Sequence, residues 1–215
     1  MQPDPTHPWF ENPRDGQRVR VLALPSPEAP GRFVLEYVYR PHSGEQAVAP
    51  HLHPRATETF EILAGRARYR LGGETREADA GERIVMPPGI PHVHPWSIGD
   101  APLHVRQTGE TAPADPRGIR ASIQAQITIF GLAAAGRVNA AGLPGLLQLA
   151  VLVDEAMPAT YLAGPPRLVQ RVLFGLLGGL GRLAGYRAGY PAYGLVTAAG
   201  VRAPERPAAP RLAEE

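Results

Sequence analysis

Between Gln17 and Glu110 apolar side chains recur at every second position in short runs. In Gln17–Leu24, Val19, Val21 and Ala23 alternate with Arg18, Arg20 and Leu22. In Arg32–Arg40, Phe33, Leu35, Tyr37 and Tyr39 share one face. Thr57–Leu63, Arg66–Leu71, Glu82–Met86 and Pro102–Thr108 are further runs of this kind. Successive strand side chains point to opposite faces, so a period of two predicts half-buried strands. Ser43-Gly44, Ala64-Gly65, Gly72-Gly73, Ala80-Gly81 and Pro88-Gly89 punctuate the runs as turns. Short strands separated by such signals predict an all-β sandwich or barrel.

The period changes near Arg117. Ile119, Ile123, Ile127 and Phe130 recur at helical spacing, which predicts a helix over 117–132. A second helix is predicted over 143–155, with Pro144 in its first turn, where a missing N–H is harmless. A third is predicted over 167–186, with a broad apolar face of Leu168, Val169, Val172, Leu173, Leu176, Leu177, Leu180 and Leu183. Arg167, Arg171, Gly175, Gly178 and Arg182 lie roughly opposite. Its glycines weaken it by about 1 kcal/mol each relative to Ala. The chain thus divides into an N-terminal arm (1–14), a β-barrel (15–112), a helical region (113–198) and a flexible tail (199–215) rich in Ala, Pro, Arg and Glu.

Composition narrows the chemistry. The 24 Gly and 25 Pro among 215 residues favour turns and short strands over a helical bundle. There is no Cys, which excludes disulfides, zinc-thiolate sites, iron–sulfur clusters and a thiol nucleophile. Any metal must sit on His and carboxylate. All 22 basic side chains are Arg, and the formal charge of +2 is too small to imply a nucleic-acid partner. No basic start followed by an apolar stretch marks a signal peptide, and no uncharged run reaches the ~18 residues of a membrane span. A cytoplasmic protein is expected.

The densest chemistry lies in His51-Leu52-His53-Pro54-Arg55-Ala56-Thr57-Glu58. His51 and His53 are two apart and project from one face of a strand. A second piece, Gly81 to His92, runs through Met86-Pro87-Pro88-Gly89-Ile90-Pro91. Three imidazoles and a carboxylate form a ligand set for a divalent first-row metal, with positions left open for substrate or water. His-x-His alone is a weak signal.

These residues resemble the cupins. Gly44, His51, His53, Glu58 and Gly65 fill the places of the first cupin motif, and Gly81, Pro87, Gly89 and His92 those of the second. The resemblance covers roughly residues 15–110. It implies a mainly β architecture: a jelly-roll barrel with a divalent metal (Fe, Mn, Zn or Ni) held by His51, His53, Glu58 and His92, followed here by a C-terminal α-helical extension. Two features depart from the pattern. Six residues rather than five separate Gly44 from His51, and Trp96 stands where Asn usually closes the second motif. A cupin that keeps these residues but works without metal is the competing reading.

His94 shares a face with His92. It could be a fifth inward imidazole, but because Pro95 would turn the strand, an exposed or supporting position is expected for it. Glu61 and His104 are expected to point outward, and His7 and His42 sit beside Pro in loops. Tyr37, Tyr39, Phe60, Tyr69, Met86 and Trp96 are expected in the barrel core. No separate general base stands out. The cupin resemblance implies a small-molecule metalloenzyme, dioxygenase- or isomerase-like, or a non-catalytic ligand-binding or sensor module. A homodimer is expected, with the helices packed on the barrel or across the dimer rather than on a membrane surface.

Overall fold

The computed structural model describes residues 7–45, 49–157 and 159–205. Ten strands precede the first long helix: β1 (Phe10–Glu11), β2 (Arg18–Ala23), β3 (Arg32–Tyr39), β4 (His51–Leu52), β5 (Ala56–Ala64), β6 (Arg66–Leu71), β7 (Glu74–Asp79), β8 (Arg83–Met86), β9 (His92–Ser97) and β10 (Leu103–Thr111). Then come α1 (Pro116–Ala134), α2 (Leu146–Ala156), β11 (Tyr161–Leu162), α3 (Arg167–Leu183) and the hairpin β12 (Leu195–Thr197) and β13 (Gly200–Arg202). Two antiparallel sheets, β1-β2-β3-β10-β5-β8 and β11-β4-β9-β6-β7, close into a jelly roll.

The alternating faces predicted for β2 and β3 form the core. Val19, Val21, Leu35, Tyr37 and Tyr39 are buried there with Phe60, Ile62, Met86 and Val105. The motif glycines Gly44, Gly65, Gly81 and Gly89 all have positive φ. At Gly65 a Cβ would also stand 2.6 Å from the Pro102 carbonyl oxygen, so the β5–β6 turn admits no side chain. β7 has no apolar pattern, because only Ala78 of its six residues is buried; it pairs with β6 as an outer strand.

The arm expected over 1–14 is not separate where it is described. Phe10 is buried and β1 pairs with β2. The tail expected from 199 begins instead as β13, paired with β12; residues 206–215 lie outside the described part. Pro144 precedes α2 rather than sitting in its first turn, since the helix begins at Leu146.

Asp115 caps α1 by accepting a hydrogen bond from the Gly118 N–H at 2.9 Å, and Pro116 occupies the first turn. Ile119, Ile123, Ile127 and Phe130 of α1 are buried against the barrel core, as their spacing predicts. Buried glutamines fasten the rest. Gln124 accepts from the Val196 N–H at 2.7 Å, and Gln148 accepts from the Tyr190 hydroxyl at 2.6 Å. Gln170 of α3 accepts from the Leu162 N–H at 3.0 Å and donates to the Leu162 carbonyl at 2.9 Å.

α3 reverses the expected arrangement. Its buried positions are Gln170, which bonds to Leu162, and Gly178 and Gly181, which face α2. A Cβ on Gly181 would lie 2.7 Å from the Leu147 carbonyl oxygen, so glycine lets the two helices meet at backbone distance. Arg182 pairs with Asp154 at 2.6 Å and Glu155 at 3.1 Å. The small and polar side is thereby used against α2. The Leu and Val side turns outward, with Leu168, Val169, Val172, Leu173, Leu176, Leu180 and Leu183 between 47% and 88% exposed.

Candidate metal centre

The site forms where the two sheets face each other. β4 carries His51, and His53 follows directly; β9 carries His92 and His94; β5 of the opposite sheet carries Glu58. His51 and His92 are register partners across β4 and β9. The five side chains offer ligand atoms that all lie within 4.8 Å of one another. His51, Glu58 and His92 are buried at 5%, 3% and 2% exposure.

His94 is the correction. It joins the cluster, with Nε2 3.0 Å from Glu58 Oε2. Pro95 does not turn the strand, because β9 runs through it to Ser97. The register of β6 against β9 shifts between Arg68 and Arg70, opposite His94 and Pro95. That irregularity absorbs the missing proline N–H. Trp96 is buried in this strand.

The imidazoles are oriented by backbone carbonyls. Nδ1 of His51 donates to Ala49 at 2.8 Å, that of His53 to Ala159 at 3.0 Å and that of His92 to Ile90 at 2.9 Å. A carbonyl only accepts, so each Nδ1 carries a proton and Nε2 is the ring nitrogen turned to the cluster. Nε2 of His53 and Nε2 of His92 are buried without a hydrogen-bond partner. They lie 3.4 Å and 3.1 Å from the Glu58 oxygens. In neutral rings the Nε2 lone pairs face the carboxylate, an arrangement that a cation among them, a proton or a metal ion, relieves. The residues therefore fit a divalent metal on their own geometry, and fixing Nδ1 while freeing Nε2 is how ligating histidines are supported.

The charges agree. Burial, followed by the neighbouring imidazoles, pushes His51 well below the usual histidine range, so it stays neutral. Burial also lowers His94. For His53, burial pulls downward but the facing Glu58 outweighs it and the pKa rises. Burial would raise Glu58, yet His53 and His94 outweigh it and hold the carboxylate well below its ordinary range.

Three supporting residues, Gln107, Ala159 and Thr160, lacked any sequence signal. Gln107 of β10 donates to Glu58 Oε1 at 2.6 Å, and the Tyr37 hydroxyl donates to Gln107 at 2.8 Å. The Ala159 carbonyl and the Thr160 hydroxyl reach His53 Nδ1 from the segment behind α2, at 3.0 Å and 3.2 Å. β11 pairs with β4 there, Leu162 opposite His51. The helical region thus holds the strand that carries the site.

His104 and Glu61 lie away from the cluster. His104 Nε2 is 3.0 Å from the buried carboxylate of Glu36, which Arg20 also contacts. Glu61 is half-buried opposite Arg83. His7 Nδ1 bonds the Val21 carbonyl at 2.8 Å, and His42 pairs with Asp100 at 2.8 Å.

A jelly roll with this cluster between its sheets defines the class. Residues 37–106 match the family model described as Cupin domain, and the chain carries a cupin domain followed by a helical extension. KdgF from a Halomonas species is similar at 18% identity over 48% of this chain and 86% of its own, with a TM-score of 0.39. An uncharacterized conserved protein with a double-stranded β-helix domain from Klebsiella pneumoniae is similar at 20% identity over 49% and 87%, also with a TM-score of 0.39. The chain spans half the length of a protein of Acidithiobacillus ferrooxidans, which it matches at 16% identity over 37% of its own residues with a TM-score of 0.33. The comparison with curated proteins finds no match. Among the described residues no helix is long and apolar enough to cross a membrane.

Proposed function

We propose that the chain is a metal-dependent cupin enzyme for a small oxygen-bearing organic molecule, dioxygenase- or isomerase-like in reaction class. His51, His53, Glu58 and His92 hold a divalent Fe, Mn, Zn or Ni ion, and His94 stands beside them against Glu58. The observation that carries this reading is the set of buried Nε2 atoms converging on one carboxylate. When bound, such an ion polarises a substrate oxygen or engages dioxygen at its open positions. The chain's own residues fix the donors. Backbone carbonyls set the imidazole tautomers, Glu58 supplies compensating charge, and Gln107 keeps one Glu58 oxygen engaged. Tyr37, pushed well above its ordinary range by burial, keeps its hydroxyl proton.

The experiment is elemental analysis of purified protein, followed by oxygen-uptake and isomerisation assays with diols, keto acids and sugars. Bound metal with turnover supports the reading. A second reading, a non-catalytic ligand-binding cupin, draws on one observation: both Glu58 oxygens are engaged and Tyr37 stays protonated, so neither is a ready general base. Metal and ligand binding without turnover of any substrate class would favour it.

A further inference from the structure

A cavity of about 300 Å³ lies between the His face of the barrel and helices α1 and α2. At about 30 Å³ per water-sized group it takes a ligand of roughly ten non-hydrogen atoms. Its polarity is one-sided. His51, His53, Glu58 and His94 of the cluster line one part with Tyr37, Gln107 and Gln126, and side chains such as Leu35, Ile123, Ile129 and Val153 make most of the rest, with the Arg55–Asp115 pair and three hydroxyls among them. Arg55 is the one Arg or Lys among the described lining residues, and Asp115 neutralises it at 3.3 Å. Away from the cluster, a phosphate or a carboxylate would find no free cation and would lose hydration without replacement.

We propose that the ligand is a small, uncharged, mainly apolar molecule with one oxygen-bearing end, seated with that end at the cluster and its body against α1 and α2. Only the placement of the oxygen end rests on the metal reading. The test uses the full chain, metal-stripped and zinc-loaded, with the uncharged fluorophore 2-naphthol, whose size matches the cavity. 4-Phenylbutan-2-one and fructose 6-phosphate serve as competitors. The probe binds in both states, the aryl ketone displaces it and the sugar phosphate does not. Val153→Trp, which fills the cavity from α2, lowers probe affinity by about tenfold or more, whereas Leu176→Ser on the far side of α3 leaves it unchanged. Displacement by fructose 6-phosphate, or no probe binding by the folded wild type, overturns the proposal. If zinc fails to bind while the stripped protein still takes the probe, the metal reading fails and this one stands.

The outward face of α3 carries a second, independent inference. From Ala156 to Pro204 the sequence has no Asp or Glu and five Arg: Arg167, Arg171, Arg182, Arg187 and Arg202. Only Arg182 of these forms a salt bridge among the described residues. Seven exposed apolar residues on one helix fall well short of the roughly 20–30 residues a side of a stable dimer interface. Arg167 and Arg171 lie on the side of α3 away from the apolar residues, so they contribute to the positive field of the region rather than to the face itself. An anionic lipid surface suits the apolar face and that field together. The structure assigns this face to such a surface, with α3 lying along it.

Sedimentation of the full chain with vesicles of equal parts phosphatidylcholine and phosphatidylserine tests this, with pure phosphatidylcholine for comparison. The mixed vesicles carry the protein down and the neutral ones do not. Arg171→Glu weakens binding by about fivefold or more, and the double substitution Leu176→Ser, Leu180→Ser abolishes it without altering the fold. Equal binding to neutral vesicles overturns the assignment. So does a solution dimer that the double substitution dissociates while wild type ignores vesicles.

Discussion

Each of His51, His53 and His92 gives its Nδ1 proton to a backbone carbonyl, so the cluster's donor set is fixed by main-chain geometry. Removing one ring should therefore remove a ligand rather than rearrange the others. His53→Ala is expected to lower metal affinity strongly while circular dichroism stays native; unchanged stoichiometry would remove His53 from the ligand set. Glu58 gives a pH prediction for the metal-stripped protein. Its carboxyl is held below the ordinary value of 4.5, so its contribution to stability is complete above that pH. That contribution is lost as pH falls through the lowered value, because the unfolded chain takes up the proton first. Acid titration should show wild type losing stability more steeply below 4.5 than Glu58→Gln; parallel curves would contradict the coupling.

Among elements, β11 and α3 carry what the chain pattern hid. Gln170 fastens β11, and β11 pairs with the strand that carries His51. Gln170→Ala leaves backbone groups of Leu162 and Pro165 without their partner, at about 1–3 kcal/mol. It should lower the melting temperature and weaken metal binding together; loss of stability with unchanged metal affinity would place β11 outside the support of the site. Gly181→Leu should cost about 1–3 kcal/mol by forcing α3 off α2, measured by thermal unfolding, and a neutral result would contradict the close approach. The four candidate ligand positions and α1 were legible because fixed motif spacing and a 3.6-residue period mark them directly. β7 was not, since its outer position exposes both faces and leaves no alternation. α3 misled because its apolar stripe was equated with its buried face. Glycines, Gln170 and a paired Arg182 do the packing instead. His94 was misplaced because β9 accommodates Pro95 by an irregularity, with His94 and Pro95 together opposite Tyr69 of β6, that no pattern in the sequence marks.

At the scale of the whole molecule, the helical region supports the barrel's metal centre. The sequence division alone predicts that deleting 143–215 leaves the four candidate ligands in place. With β11 and the Ala159 carbonyl removed, His51 and His53 should lose their support and metal affinity should fall about 10–100-fold, the range for lost supporting hydrogen bonds. Calorimetric metal titration of the truncated chain checks this, and wild-type affinity would contradict it. The central claim is that His51, His53, Glu58 and His92 hold an ion, and metal titration of the chelator-stripped full chain tests it most directly. The account predicts about one equivalent bound, a metal-dependent rise in melting temperature, and loss of both in a His51→Ala, His92→Ala double variant that stays folded. A natively folded wild-type chain that binds none of Fe, Mn, Zn or Ni would contradict it.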